Sequence, residues 1–310
     1  MGEEEKGEGE ESAMRVEDIK LILVVGAGQM GAQIAIQSAL HGYAVTLNDL
    51  SMDILEKGMK GNRVQIEKRV AKGQMAQAQM DAAIGRIRLE PDLEKAARDA
   101  DFVVEAIVER LEPKRELFSR LDSFCPRHAI LVSNSSTLMI SQIAPATKRP
   151  AQCANMHWFY PPLVMRLVEV VKGKDTSEEA AQLVAELTLK IGREPVILRK
   201  ELPGFLVNRI LRALGREAYY LLEQGVASFA DIDKAVELGL NHPMGPFKLA
   251  DFSGLDIGYN ARLETYEITK DPGDLPPKAL ETRVKRGDLG RKTGRGFYDY
   301  SATPPTPTPD

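Results

Sequence analysis

A glycine-rich turn between a predicted strand and a predicted helix is the feature that most constrains the fold of this 310-residue chain. The apolar run Leu21–Val25 predicts a short strand, and residues 29–40 have a helix-forming composition. Between them, residues 26–31 read GAGQMG and match G-x-G-x-x-G. In such a turn the first glycine permits a tight bend, the second lets the backbone approach a pyrophosphate, and the third lets the helix pack on the strand. The residues that this motif places at a dinucleotide are Gly26, Gly28, Gln29, Met30 and Gly31.

A carboxylate after the second predicted strand indicates which dinucleotide fits. Ala44–Leu47 reads as a strand, and Asp49 follows it, eighteen residues after Gly31. A carboxylate at that place accepts hydrogen bonds from a ribose diol and repels a 2′-phosphate, so the expected cofactor is NAD and not NADP. A plainer interpretation stays open, in which the glycines serve only a structural turn and Asp49 ends the strand as aspartates often do.

Alternating strands and helices continue to about residue 202. Further strands are predicted at Phe102–Ala106, Ile130–Ser133, Gln152–Met156, Leu167–Val171 and Val196–Leu198. The long polar stretch from Met52 to about Ile84 predicts a helical hairpin inserted after the second strand. The expected fold class is therefore α/β, a Rossmann-type, doubly wound and mainly parallel sheet with this inserted hairpin.

Beyond Pro203-Gly204 the pattern becomes helical, which predicts a second, smaller, all-helical domain. Apolar residues recur at helical spacing from Leu206 to Leu222, and a capping box opens another helix at Ser228. The expected segments are a disordered acidic tail over 1–16, an NAD-binding Rossmann domain over 17–202, a helical substrate and dimerisation domain over 203–300, and a disordered proline-rich tail over 301–310.

Charge and composition exclude several classes of partner. The formal net charge is -4 at pH 7, which gives no global basic field for nucleic acid or for an anionic membrane. No apolar run approaches the roughly eighteen residues that a membrane helix needs. Cys125 and Cys153 lie far apart in sequence, without the C-x-x-C spacing of a zinc site. We therefore expect no metal and a reducing cytoplasm.

His157 and Glu169 are the residues best suited to proton transfer. They lie in the stretch NMHWFYPPLVMRLVEVV, whose proline-containing turn allows two neighbouring strand ends to bring the two side chains together. Imidazole has an unperturbed pKa near neutrality, so it can accept a hydroxyl proton while a carboxylate fixes its tautomer. The alternatives are a buried structural histidine and an unassigned buried acid, and that acid would itself need a partner.

Several spaced motifs together resemble the 3-hydroxyacyl-CoA dehydrogenases. In chain order they are SNSSTL at 133–138, HWFYPP at 157–162, LVEVV at 167–171, PGFLVNR at 203–209, PMGPFKLAD at 243–251 and GLD at 254–256. The sequence GRKTGRGFYDY at 290–300 is similar to the short bacterial 3-hydroxybutyryl-CoA dehydrogenases. The similarity covers nearly everything between about Ile19 and Tyr300, so it is far more specific than the glycine motif alone.

The resemblance implies a reversible oxidation of an (S)-3-hydroxyacyl-CoA to the 3-oxoacyl-CoA, with hydride passed to NAD. His157 matches the family's base, and Glu169 matches its orienting carboxylate. Ser136 matches the hydroxyl that contacts the substrate oxygen, and Asn208 matches the amide that helps to hold it. On the residues alone, Ser136 also reads as a strand-end cap and Asn208 as a helix-start contact.

The resemblance also covers residues near the cofactor, and at one position this chain departs from the family's pattern. Glu109 and Lys114, in the stretch AIVERLEPK, match positions around the nicotinamide ribose. The family usually shows asparagine after the two aromatic residues of the histidine motif, where this chain has Tyr160. A larger phenol there is expected to narrow or redirect the acyl channel.

Two other functions compete with this one. A dehydrogenase of a free 3-hydroxy acid shares the architecture, but the best-known families of that kind rely on a lysine base. A non-enzymatic, crystallin-like NAD-binding protein would keep the fold and lose part of the set of base, carboxylate, serine and asparagine.

The apolar stripe over Phe205–Leu222 predicts a homodimer, unless the stripe packs within its own chain.

Overall fold

The computed structural model describes residues 14–309, apart from the side chains of residues 268 and 269. The chain divides into two compact units, one ending at Leu206 and the other beginning at Val207. The tail predicted over 1–16 lies outside the described residues as far as residue 13. For its last residues the prediction is wrong, because Val16 opens the 3-10 turn Val16–Asp18 and is buried in the core of the first unit.

The first unit is built on a sheet of eight strands. They are β1 (Leu21–Val25), β2 (Ala44–Asn48), β3 (Ile87–Leu89), β4 (Phe102–Glu105), β5 (Ile130–Ser133), β6 (Cys153–Trp158), β7 (Leu167–Val171) and β8 (Glu194–Leu198). Their order is β3-β2-β1-β4-β5-β6-β7-β8, and neighbours are parallel except at the β6–β7 junction, which is antiparallel. The first six in this order reproduce the doubly wound dinucleotide fold, so the predicted fold class is confirmed.

Helices cover both faces of the sheet, and its six inner strands are therefore almost entirely buried. They are α1 (Gln29–Leu40), α2 (Met52–Ala71), α3 (Gln77–Gly85), α4 (Leu93–Ala97), α5 (Leu111–Phe124), α6 (Ile140–Ile143) and α7 (Glu178–Lys190). Strand β1 shows the alternation: Ile22 and Val24 pack in a core with residues of α1 and α7, whereas Leu23 and Val25 pack in a second core with residues of α4 and α5.

The predicted helical hairpin is formed by α2 and α3. Ile66 of α2 and Met80 of α3 are buried together with Ile36 of α1, so the hairpin packs on the first helix after the glycine turn. Strand β3 follows the hairpin and was not predicted. It has three residues with the exposed Arg88 in the middle, too short a run to show the alternation of a strand.

Strand β6 extends further than the sequence predicts. The predicted strand stops at Met156, whereas the structure continues through His157 and Trp158, both of them buried. The reason is the antiparallel partner β7, which pairs with the chain up to Trp158 before the proline turn begins. His157 therefore lies inside a paired strand and not in a loop.

The second unit is helical with one small sheet. Its elements are α8 (Val207–Glu223), α9 (Phe229–Leu240), α10 (Pro246–Ser253), α11 (Leu255–Thr269), α12 (Lys278–Arg286), β9 (Tyr298–Asp299) and β10 (Thr306–Pro307). Its core is largely aromatic, with Phe229, Phe247 and Phe297 in mutual ring contact.

The prediction of a disordered tail over 301–310 is wrong for its central residues. Strand β10 pairs antiparallel with β9, and the buried Thr308 donates its backbone amide to the carbonyl oxygen of Phe297 at 2.9 Å. The proline-rich composition does not prevent this pairing, because Pro307 lies in a two-stranded edge where its missing amide proton costs little.

Candidate active site

The glycine turn, residues 26–31, connects β1 to α1 as predicted. Gly26 has φ +106°, and a Cβ built there would lie 2.5 Å from the carbonyl oxygen of Ala106. A Cβ at Gly31 would lie 1.8 Å from the carbonyl oxygen of Gly26. These two positions therefore need glycine for the fold itself. A Cβ at Gly28, by contrast, would meet no atom within 4 Å, so the bare backbone faces open space beside the amino terminus of α1.

The space in front of this turn fits a dinucleotide. A cleft of about 860 Å³ is lined by Gly26, Gly28 and Gln29 of the turn, and we call it the dinucleotide cleft. Backbone amides at the amino terminus of a helix favour an anion such as a pyrophosphate. Met30 packs against the core and Gly31 is buried, so these two residues support the cleft from behind.

Asp49 combines a structural contact with a place on the cleft. Its Oδ2 accepts the backbone amide of Ala27 at 2.7 Å, and its Oδ1 accepts that of Leu50 at 2.7 Å. The carboxylate therefore holds the glycine turn while it lines the cleft. Each carboxylate oxygen has a further lone pair with which it can accept from ribose hydroxyls.

Helix α2 closes one side of the dinucleotide cleft, which the sequence does not predict. A Cβ at Gly58 would lie 2.1 Å from the carbonyl oxygen of Ala27, so the helix lies directly against the glycine turn. On the same helix Gly61 and Asn62 also line the cleft, and the Asn62 side chain accepts from the amide of Gln33 at 2.9 Å. Glycines inside a long polar helix are the sequence signal that would indicate this close approach.

A buried ion pair lies behind the carboxyl ends of β4 and β5. The Nζ of Lys114 is 2.5 Å from Oε1 of Glu105, and the two side chains are 1% and 0% exposed. Glu105 also accepts the backbone amide of Ile107 at 2.7 Å and the hydroxyl of Ser133 at 2.5 Å. This set of donors makes the buried charge tolerable. Glu105 is absent from the predicted site, although an acid at the end of the apolar strand FVVE is a usable signal.

Glu109 joins this ion pair to the loop after β5. Its Oε2 lies 3.2 Å from the Nζ of Lys114, and its Oε1 accepts the hydroxyl of Ser135 and the backbone amides of Ser136 and Thr137, both at 3.1 Å. Burial by itself raises the pKa of Glu109, but Lys114 and the hydrogen bonds outweigh it, so the pKa lies below its usual value. Ser136 uses its amide for this contact, which leaves its half-buried hydroxyl available to a ligand.

His157 and Glu169 face each other across the antiparallel β6–β7 junction. They are directly opposite in register, so their side chains lie on the same face of the sheet. The Nδ1 of His157 is 2.7 Å from Oε2 of Glu169, and the two side chains are 6% and 0% exposed. Because a carboxylate only accepts, Nδ1 carries a proton, and the neutral form of the ring then has its lone pair on Nε2.

Packing and a backbone donor hold this pair. The Oε1 of Glu169 accepts the amide of Leu206 at 3.1 Å. The rings of Phe159 and Phe205 lie 4.6 and 5.5 Å from that of His157, measured between centroids. The imidazole is therefore fixed in orientation by its carboxylate partner and by two aromatic walls.

The other two predicted catalytic residues occupy different places. The loop of Ser136 is tied to the strand of the histidine, since Oδ1 of Asn134 accepts the backbone amide of Trp158 at 2.9 Å. Asn208 belongs to the second unit, where it lies in the first turn of α8.

Within residues 14–309, no helix is long and apolar enough to cross a membrane. In the same range, no group of three or more His, Cys, Asp or Glu side chains is arranged to hold a metal ion.

A dinucleotide cleft and a buried imidazole–carboxylate pair, both toward the carboxyl edge of a doubly wound sheet, define a dinucleotide-dependent oxidoreductase. Comparison with known proteins narrows this class. The model of the NAD binding domain of 3-hydroxyacyl-CoA dehydrogenase matches residues 21–202, and the model of the C-terminal domain of the same enzyme matches residues 204–300. The chain therefore belongs to the 3-hydroxyacyl-CoA dehydrogenase family, and the predicted family, enzyme class and NAD cofactor are confirmed.

Individual relatives agree with the family models. The chain is 42% identical over 283 residues to a probable 3-hydroxybutyryl-CoA dehydrogenase of Bacillus subtilis, which covers 91% of this chain and 98% of the relative. It is 40% identical over 289 residues to the mitochondrial hydroxyacyl-coenzyme A dehydrogenase of Homo sapiens, covering 91% of each chain. The crystal structure of (S)-3-hydroxybutyryl-CoA dehydrogenase PaaH1 from Ralstonia eutropha has a TM-score of 0.84 at 35% identity, covering 92% of this chain and 100% of that one.

The glycines of the turn give a paired prediction that separates fold from cofactor binding. We expect Gly31→Ala to lower the free energy of unfolding by about 3 kcal/mol, because its methyl group overlaps a backbone oxygen. We expect Gly28→Ala to leave the melting temperature nearly unchanged and to weaken NADH binding roughly tenfold, since its methyl group intrudes only on the ligand. Thermal denaturation and NADH fluorescence titration measure the two effects. Equal loss of stability in both variants would contradict the assignment of Gly28 to the ligand side.

The buried ion pair gives a prediction with a pH dependence. Lys114→Met leaves Glu105 buried without its cation, so we expect unfolding to cost about 3–5 kcal/mol less at pH 7. Glu109 has a lowered pKa, so the stabilisation of the folded state by its ionised carboxylate is present above the usual pKa of glutamate. This stabilisation is lost as the pH falls through the lowered value. The difference in the free energy of unfolding between the wild type and Lys114→Met should therefore become smaller in acid.

Urea denaturation between pH 7 and pH 3 measures this difference. The matched control is Lys95→Met, which removes an exposed contact of 3.5 Å to Asp92 and should change stability by less than about 1 kcal/mol. An equal loss of stability in the two variants would show that the buried Lys114 pair stabilises the fold no more than an exposed ion pair does.

Proposed function

We propose that the protein oxidises a short-chain (S)-3-hydroxyacyl-CoA, such as 3-hydroxybutyryl-CoA, to the 3-oxoacyl-CoA, with His157 as general base. The observation that carries the proposal is the 2.7 Å contact between Nδ1 of His157 and Oε2 of Glu169 in an almost fully buried pair. The relatives from Bacillus subtilis and Ralstonia eutropha, both named as 3-hydroxybutyryl-CoA dehydrogenases, support the short acyl chain.

Proton transfer at Nε2 is the step that His157 performs. NAD, when bound, supplies the hydride acceptor. As hydride leaves C3 of the substrate, positive charge develops at the carbinol, and removal of the hydroxyl proton by Nε2 lowers the same barrier. The imidazolium formed in this way is stabilised by Glu169, whose charge is poorly screened in a buried site. In the reverse direction the imidazolium donates the proton.

Two neutral donors are proposed to position the substrate oxygen. The hydroxyl of Ser136 and the amide of Asn208 can both donate to it without becoming charged, which suits positioning better than proton transfer. We assign Glu109 and Lys114 to the side of the nicotinamide ribose and Asp49 to the adenosine ribose. The bonds from the Ser136 loop to Glu109 support this arrangement, because they couple the substrate donor to the cofactor side.

The assembly and location of the protein are part of the same proposal. We propose a homodimer formed through the second unit, where Ile210, Leu211 and Tyr220 of α8 leave apolar side chains 61%, 40% and 56% exposed. We also propose a cytoplasmic location, for which the free cysteines Cys125 and Cys153, both buried, give support.

The central test follows NADH absorbance with acetoacetyl-CoA as substrate. We expect His157→Gln to lower kcat/KM by about 10²–10⁴-fold and Glu169→Gln by about 10²-fold, because the first removes the base and the second the charge that stabilises its protonated form. The melting temperature of each variant shows whether the fold is intact.

The matched control and the rival functions belong to the same assay. His128→Gln removes an exposed imidazole that contacts Asp101 at 3.0 Å, and it should leave kcat/KM unchanged. Equal rates with free 3-oxo acids and with CoA esters would favour a free-acid dehydrogenase. NADH binding without turnover of either substrate would favour the crystallin-like alternative.

Light scattering tests the dimer. The chain has a mass of 34.2 kDa, and at micromolar concentration we expect twice that value. Ile210→Glu should shift the mass toward that of one chain, because it buries an unpaired charge in the proposed interface. A wild-type protein that stays monomeric at these concentrations would refute the homodimer.

A further inference from the structure

An asparagine of β6 binds the loop that carries Ser136. This loop, residues 134–139, connects β5 to α6, and we call it the serine loop. Oδ1 of Asn155 accepts the backbone amide of Ile140 at 2.8 Å, and its Nδ2 donates to the carbonyl oxygen of Leu138 at 3.1 Å. Ile140 is the first residue of α6, so its amide has no partner inside that helix. The fully buried Asn155 side chain therefore uses both its donor and its acceptor to hold the end of the serine loop.

A second asparagine binds the start of the serine loop to β6. Strand β5 ends at Ser133, and its register with β6 ends at Asn155, so residues 156–158 of β6 extend beyond β5. In this region Oδ1 of Asn134 accepts the backbone amide of the buried Trp158 at 2.9 Å. A buried backbone amide without an acceptor is costly. The side chain of Asn134 therefore supplies an acceptor where β5 no longer offers one.

The two asparagines bracket the serine and the histidine. On the serine loop, Ser136 lies between the residues that make these bonds, and on β6 His157 does so as well. Asn155 and His157 are two residues apart on one strand, so their side chains project from the same face of the sheet. Because Asn155 binds the serine loop, the loop lies over the face that also carries the imidazole.

We infer that Asn134 and Asn155 are positioning residues, which fix the serine loop against β6 so that the Ser136 hydroxyl and Nε2 of His157 reach the same substrate oxygen. This inference rests on the proposed function, in which the serine donates to that oxygen and the histidine takes its proton. A misplacement of about 1 Å between reacting groups costs roughly 10²-fold in rate. The two asparagines therefore contribute to catalysis through the groups that they hold, without a contact to the substrate.

The first test measures kcat and KM for the reduction of acetoacetyl-CoA by NADH. Asn155→Leu removes both bonds at nearly constant volume, and Asn134→Ala removes the acceptor of the Trp158 amide. We expect each substitution to lower kcat about tenfold or more and to change KM less than about twofold, because the bonds set the reacting geometry and not the affinity. Asn134→Asp keeps the acceptor and should retain kcat within about threefold of the wild type. The half-buried position 134 provides the result if Asn155→Leu does not fold.

Double variants show whether the asparagines act through Ser136. We expect Ser136→Ala to lower kcat by itself. Addition of Asn134→Ala or Asn155→Leu to it should lower kcat less than about twofold further, because the loop then has no hydroxyl to place. A purely structural role of the asparagines would be independent of the serine, and the separate losses of kcat would multiply.

Thr176→Val is the matched control. The Thr176 hydroxyl donates to the carbonyl oxygen of Cys153 at 2.6 Å, at the opposite end of β6, and accepts the backbone amide of Gly173 at 2.9 Å. Its loss should lower the melting temperature, as the loss of either asparagine does, and should leave kcat unchanged.

Three results would overturn the inference and leave the proposed function standing. They are wild-type kcat in both single variants, losses that multiply in the double variants, and an equal loss of kcat in Asn134→Asp and Asn134→Ala. The last result would show that the Nδ2 donor matters and the bond to Trp158 does not. Wild-type kcat in Ser136→Ala would remove the proposed role of the serine, and the inference with it. Failure of the wild type with every CoA ester would refute the proposed function as a whole.

Discussion

The buried bond between His157 and Glu169 links the register of the sheet to the chemistry of the site. A carboxylate that is 0% exposed costs several kcal/mol to bury unless it is paired, and here an imidazole and the amide of Leu206 satisfy it. The pairing exists because the two residues are directly opposite in the antiparallel β6–β7 register. A slip of one residue would turn one of the two side chains to the other face of the sheet. Strand pairing, burial and the tautomer of the imidazole are therefore one constraint.

A second buried ion pair connects the ends of the parallel strands to the loop after β5. Lys114 and Glu105 form a contact of 2.5 Å at the end of β4, and Glu109 extends it to the loop after β5. That loop carries Ser136 and is bound in turn to the end of β6. Because Glu109 and the backbone amide of Trp158 both bind this loop, it is held in shape before any ligand binds, and such preorganisation is what positioning a substrate requires.

The sequence predicted those features that depend on a residue's own neighbours in the chain. The glycine turn at 26–31 and the hairpin after β2 follow from local composition, and both occur as expected. The features that were missed depend on contacts between distant residues. Gly58 matters only because α2 lies against Ala27, and Glu105 only because Lys114 and Ser133 meet it at neighbouring strand ends. The tail at 301–310 was mispredicted for the same reason, since composition does not show that β9 offers it an edge.

By itself, therefore, the sequence determined the order of the elements, the dinucleotide turn and the presence of an imidazole and a carboxylate suited to proton transfer. These properties are local, because backbone preference and side-chain chemistry belong to short stretches of chain. Only the tertiary structure decided that Nδ1 of His157 contacts Glu169, that Glu109 binds the Ser136 loop, and that Tyr160 lines the same cleft as Gly61. Such distances arise from how strands pair and helices pack, and no spacing along the chain specifies them.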